Sequence, residues 1–111
     1  MKVYYYPKCG TCRKLLKWLE NEGVEASVVD IVESPPSRVE LESLVERSGL
    51  PLSKWFNTSG LSYRNGGFSE RLKTMTRNEA LDALAADGKL IKRPIVVYGD
   101  KVWVGLTELP L

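Results

Sequence analysis

Cys9 and Cys12 are the only cysteines in this 111-residue chain, and two small residues separate them as Cys9-Gly10-Thr11-Cys12. The pair follows a short strand-like run and opens an amphipathic stretch. Thiol–disulfide exchange needs one ionised sulfur and a second thiol able to attack the mixed disulfide that the first one forms. A helix N-terminus meets the first need, because its leading N–H groups lack intrahelical partners and favour negative charge. Lys8 and Arg13 flank the motif and add positive charge. In Cys-x-x-Cys settings thiol pKa values fall to roughly 3.5–7.5. Cys9 is the expected nucleophile, and Cys12, one helical turn further on, the expected resolving thiol. Gly10 and Thr11 leave the junction open to a substrate.

Two plainer readings compete. Zinc also uses Cys-x-x-Cys but needs about four ligands. The chain has no histidine and no third cysteine, so a one-chain site would have to recruit two carboxylates, and no metal is expected. No other motif calls for a cofactor. A packing role remains open for Cys12, which shares a helical stripe with Leu15, Leu16 and Leu19. Cys9, at the mouth of the turn, fits that reading poorly.

The elements that must position the pair are legible in outline. Val3–Tyr6 is β-branched and aromatic, and Pro7 ends it. Gly10–Glu22 reads as a helix closed by Gly23 in a left-handed cap. Val24–Ile31 is a second strand, centred on Ser27–Ile31, and Ser34-Pro35-Pro36 breaks the chain. Ser37-Arg38-Val39-Glu40 spells a capping box, and Val39, Leu41, Leu44 and Val45 form an apolar face that runs to Ser48-Gly49. Leu52–Phe56 is short and apolar. Asn57-Thr58-Ser59-Gly60 and Asn65-Gly66-Gly67 read as turns. Thr76-Arg77-Asn78-Glu79 is a second capping box, starting a helix that Asp87-Gly88 stops. Ile95–Tyr98 and Val102–Val104 form a hairpin around Gly99-Asp100. Glu108–Leu111 reads as a helical stub or a frayed tail. A βαβ unit and a ββ unit sharing one sheet make an α/β layered domain. With Cys-x-x-Cys at the first strand–helix junction, that sheet is expected to be thioredoxin-like, with a helical insertion over about residues 35–88.

Composition narrows the function classes. A chain of this length makes one domain. A net charge of +2 offers no general case for nucleic-acid or membrane-surface binding. No apolar run approaches the ~20 residues that cross a bilayer. The N-terminus enters a strand pattern without the apolar block of a signal peptide, so a cytoplasmic location is expected. In that reducing compartment a close cysteine pair is more often catalytic or metal-binding than structural.

Tyr6-Pro7-Lys8-Cys9-Gly10-Thr11-Cys12-Arg13-Lys14 resembles the opening signature of the arsenate reductase-like family that includes the Spx regulators. Pro35-Pro36-Ser37 stands where that family begins its second helix. Asn57-Thr58-Ser59-Gly60 with Tyr63-Arg64 is similar to the mid-chain signature of Spx-like members. Leu90-Ile91-Lys92-Arg93-Pro94-Ile95-Val96-Val97, followed by Val104-Gly105, is similar to the family's Arg-Pro segment. The four motifs cover almost the whole chain. The resemblance implies a thioredoxin-like fold, a cis peptide before Pro94, and Arg93 as an oxyanion contact. A guanidinium suits that role because it offers a rigid fork of donors; a surface ion pair is the plainer reading. Arg64 is either a second contact or a surface charge, and Lys92 reads as a solvated one.

The resemblance also carries departures. Family members that reduce arsenate with glutaredoxin use three arginines around one cysteine. Here Asn57 and Leu106 stand in two of those places, and Cys12 replaces a frequent serine. Two lost cations weaken anion binding by about 1.5–3 kcal/mol for each charged hydrogen bond. The expectation is therefore a thiol–disulfide oxidoreductase acting on an oxidised thiol or an oxyanion. Thioredoxin, glutaredoxin or glutathione would be the reductant. The alternative is an Spx-like redox sensor that binds RNA polymerase, with the disulfide as its switch. Pro110 would interrupt the longer C-terminal helix of such regulators, which favours the enzyme. A vestigial domain without chemistry is the third reading.

Overall fold

A computed structural model describes all 111 residues, Met1–Leu111. Four short strands form one sheet: β1 (Lys2–Tyr5), β2 (Ser27–Asp30), β3 (Ile95–Tyr98) and β4 (Lys101–Val104). Their spatial order is β2-β1-β3-β4, with β1 and β2 parallel and the other two pairings antiparallel. The helix α1 (Gly10–Asn21) joins β1 to β2. Between β2 and β3 lie α2 (Arg38–Ser48), α3 (Leu61–Asn65), α4 (Phe68–Arg71) and α5 (Arg77–Ala86), with 3-10 turns at Leu52–Trp55 and Gly88–Leu90. This is the thioredoxin-like mixed sheet with a helical insertion.

The alternation of side chains along the strands splits the core into two layers. Val3 and Val96, opposite one another in the register, join Leu15 and Leu19 of α1 on one face. Tyr4 and Ile95, the next pair, face the larger cluster built from α2, α5, Trp55, Phe56 and Ile91. The sheet is thus covered on both sides, and the cysteine pair sits at the end of β1 where the chain turns into α1.

Several expectations need correction. Glu40 does not complete a capping box. Ser37 accepts from the Glu40 N–H at 3.1 Å, but the Glu40 carboxylate is taken by the buried Tyr4 hydroxyl of β1. Val39 leaves the apolar face and is 79% exposed, because it stands two residues before Leu41, about 200° around the helix and so opposite the stripe carried by Leu41, Leu44 and Val45. The short apolar run after Pro51 forms a 3-10 turn, and Phe56 at its end makes an isolated antiparallel bridge to Ile91. Helices α3 and α4 occupy a region that reads as turns, since their one- to two-turn lengths carry no periodicity. Glu108–Leu111 is neither helical nor loose: Leu109 is buried against Val3, Leu15 and Val96. By contrast, Thr76 and Glu79 form the full reciprocal capping box.

Candidate active site

Backbone geometry at the end of β1 makes the site. Tyr6 accepts from the Cys9 N–H at 3.0 Å, tightening the turn that carries Pro7 and Lys8. Cys9 is the N-cap of α1, extended at φ −94° and ψ 119°, and its Sγ accepts from the Cys12 N–H at 3.4 Å. Both thiols are reduced. Cys9 is partly exposed, whereas Cys12 is 0% exposed in the core behind it.

The second wall comes from the chain entering β3. The Arg93–Pro94 peptide is cis. Arg93 lays its guanidinium over the Tyr6 ring, 4.8 Å from the centroid, and donates to the Lys89 carbonyl at 3.1 Å. The insertion supplies the third wall. Lys92 N–H donates to Trp55 O and Asn57 N–H donates to Leu90 O, each at 2.8 Å, either side of the Phe56–Ile91 bridge. That short ladder brings Asn57, Ser59 and Gly60 opposite the cysteines. Together with Thr11, Lys92 and Arg93 they line a polar cavity of about 370 Å³ that opens onto Cys9. An adjoining cleft shares Asn57, Gly60 and Arg93 and continues past Tyr6 to Lys89.

The two thiols are driven apart electrostatically. Burial pushes the Cys9 thiol up, but the hydrogen bonds from Cys12 and Arg93, with the Arg93 charge, outweigh it and hold the group below its ordinary value. Burial pushes Cys12 up to about 12, reinforced by its hydrogen bond to the Cys9 sulfur, against weaker opposing pulls from Tyr6 and Arg93. One sulfur is prepared to be an anion and the other to stay protonated. No group of three or more metal-ligating side chains converges in the structure.

Comparison with known proteins gives the family. Residues 4–108 match the ArsC family. The chain belongs to that family. It is similar to the uncharacterised protein YusI of Bacillus subtilis, 54% identical over 97% of this chain and 92% of that one. An arsenate reductase of Rhizobium meliloti is 35% identical over 86% of this chain, which spans 66% of that enzyme's length. The regulatory protein MgsR of Bacillus subtilis is 29% identical over 95% of this chain and 82% of that one. A solved structure from Bacteroides fragilis, ascribed to an ArsC family related protein, superimposes with a TM-score of 0.90 at 43% identity, covering 93% of this chain and 87% of that one. ArsC-type architecture therefore frames the Cys9 cavity.

Within this ArsC frame, the structure brings Cys9, Gly10, Thr11 and Arg93 together at the cavity, with Cys12 directly behind. Pro94 is buried, and its carbonyl accepts from Gly105 N–H at 2.8 Å, tying the cavity floor together. Arg13 and Arg64 do not join it. Both are exposed and line neither the cavity nor the adjoining cleft. Arg13 follows Cys12 by one residue, and a 100° step around the helix turns it off the buried stripe. Lys92 stands at the cavity rather than away from it, and Ser59 and Gly105 line it too. The sequence signal for these was the Asn57–Gly60 turn itself, whose closeness to Lys92 depends on a pairing some 35 residues apart in the chain.

Proposed function

We propose that this ArsC-family chain is a thiol–disulfide oxidoreductase with Cys9 as nucleophile and Cys12 as resolving thiol. The observation that carries the reading is geometric: Cys9 caps α1 at the cavity mouth with Arg93 on the same wall, and Cys12 lies buried directly behind it, the two thiols pushed in opposite directions. The Cys9 thiolate attacks one sulfur of an oxidised substrate R–S–S–R′, forming Cys9–S–S–R and expelling R′S⁻. Capping Cys9 removes the sulfur anion that helped hold the Cys12 proton. Cys12 then passes its proton to the departing thiolate, attacks the Cys9 sulfur and releases RS⁻. The resulting Cys9–Cys12 disulfide returns to the dithiol at the expense of thioredoxin, glutaredoxin or glutathione, which is itself oxidised. Arg93 offers a charged donor to an anionic substrate, so arsenate is the oxyanion to test beside disulfides. A cytoplasmic setting would supply those reductants.

A second reading has one specific support, the similarity to the regulatory protein MgsR along most of both chains. There the same thiol pair would act as a switch and RNA polymerase would be the partner.

Turnover assays with a glutathione mixed disulfide and with arsenate test the first reading. Wild type is expected to turn over at least one of them. Cys9→Ser should abolish turnover, and Cys12→Ser should stop after one mixed disulfide per chain. Absence of turnover with every substrate, together with oxidation-dependent capture of RNA polymerase, would replace the enzyme by the switch.

A further inference from the structure

The cations at the cavity are not equivalent. Arg93 already stacks on the Tyr6 ring and donates to the Lys89 carbonyl, and its charge helps hold the Cys9 thiol below its ordinary value. Lys92 makes no ion pair, yet it lines the cavity that contains Cys9, and no Asp or Glu lines it. Its stem is held by the shape of its neighbour. Gly105, at φ +74°, has no Cβ; one placed there would meet Lys92 Cε at 2.7 Å and Cδ at 3.5 Å. The methylenes fill the space a side chain would take. Both ends of this contact are anchored, Lys92 N–H on Trp55 O and Gly105 N–H on Pro94 O, each at 2.8 Å.

We infer that Lys92 is a substrate-binding residue, the cation laid across Gly105 to receive a negatively charged group next to the sulfur that Cys9 attacks. This deepens the oxidoreductase reading and, for its substrate class, rests on it. Two cations facing one thiolate leave a single unbalanced positive charge in a cavity lined without carboxylates. That balance suits an organic disulfide that places one carboxylate or sulfonate beside the sulfur under attack, any second acid group lying on the leaving half. A doubly charged oxyanion is matched less well. The mobile, hydrated ammonium tolerates either acid group, where a guanidinium fork would demand planar geometry.

The decisive test needs no turnover and so separates this inference from the proposed function. Alkylation of Cys9 by anionic iodoacetate is compared with neutral iodoacetamide at fixed ionic strength, mapped by mass spectrometry. The iodoacetate-to-iodoacetamide rate ratio should fall about fivefold in Lys92→Gln, the effect of deleting one charge at close range. In Lys92→Arg it should stay near wild type. A Lys92→Gln ratio equal to wild type would overturn the inference, whatever the enzyme turns over. With substrates, Lys92→Gln should raise KM for dithiodiglycolate several-fold more than KM for neutral hydroxyethyl disulfide. Equal KM changes for the two disulfides would also overturn it. Failure of wild type to reduce either disulfide would count against the oxidoreductase reading, while the alkylation ratio still decides the role of Lys92.

Discussion

Cys9 owes its lowered pKa to contacts that different parts of the chain supply. The Cys12 N–H and S–H come from the helix that Cys9 itself caps, and Arg93 comes from the chain entering β3, distant in sequence but paired beside β1. Removing the distant one separates their contributions. Arg93→Ala should move the midpoint of the Cys9 alkylation profile to higher pH and slow the reaction at neutral pH several-fold, read by iodoacetamide kinetics. Cys12 makes the opposite prediction. Its folded-state pKa is raised from 9.0 to about 12, so folding gains from keeping it protonated. That stability is complete below the unfolded value and is lost as pH rises from about 9 towards 12. Thermal unfolding of reduced protein across this range should show a steeper alkaline loss for wild type than for Cys12→Ala; equal slopes would show that Cys12 does not carry it. The placement of the cysteines, Cys9 at the helix start and Cys12 buried one turn on, was readable from the sequence because it follows from one strand–helix junction. Arg13 and Arg64 lie outside the cavity lining: Arg13 adjoins Cys12 in the chain but not around the helix, and Arg64 entered through a mid-chain likeness that does not fix its side chain.

At the scale of elements, local signals were reliable where no tertiary partner competed. Thr76 and Glu79 satisfy one another at 3.1 Å in both directions. Ser37 and Glu40 present the same pattern, yet Glu40 turns away to the Tyr4 hydroxyl, a choice no local pattern reveals. The consequence is a link from α2 to the central strand β1. Tyr4 is buried there, and both burial and its bond to Glu40 raise its pKa. Tyr4→Phe should therefore cost about 1.5–3 kcal/mol in urea unfolding, the range for a hydrogen bond to a charged group. A loss no larger than that of a surface substitution would show the bond to be incidental. Val39→Ser on the same helix should stay within about 0.5 kcal/mol of wild type, because Val39 faces solvent. The strands and α1 were legible from hydrophobic period and breakers. Helices α3 and α4 were not, because so few turns display no period.

For the whole molecule, the decisive feature is how the insertion is fastened to the sheet. Phe56 lies at the join. It bridges Ile91 and packs in an aromatic group with Phe68 at 5.7 Å and Tyr63 at 6.4 Å between ring centroids. Phe56→Ala should cost about 3–5 kcal/mol by cavity formation, a large share of the ~5–15 kcal/mol that stabilises a domain of this size. The same join places Asn57 and Lys92 at the cavity, so stability and site geometry share one contact that no sequence window contains. This frame holds an anionic sulfur in front of a protonated one, and site-resolved alkylation of the reduced protein across pH distinguishes the two. Cys9 should react with a midpoint below 9.0 while Cys12 stays unmodified. A Cys9 midpoint at or above 9.0, or modification of Cys12 ahead of Cys9, would contradict the account.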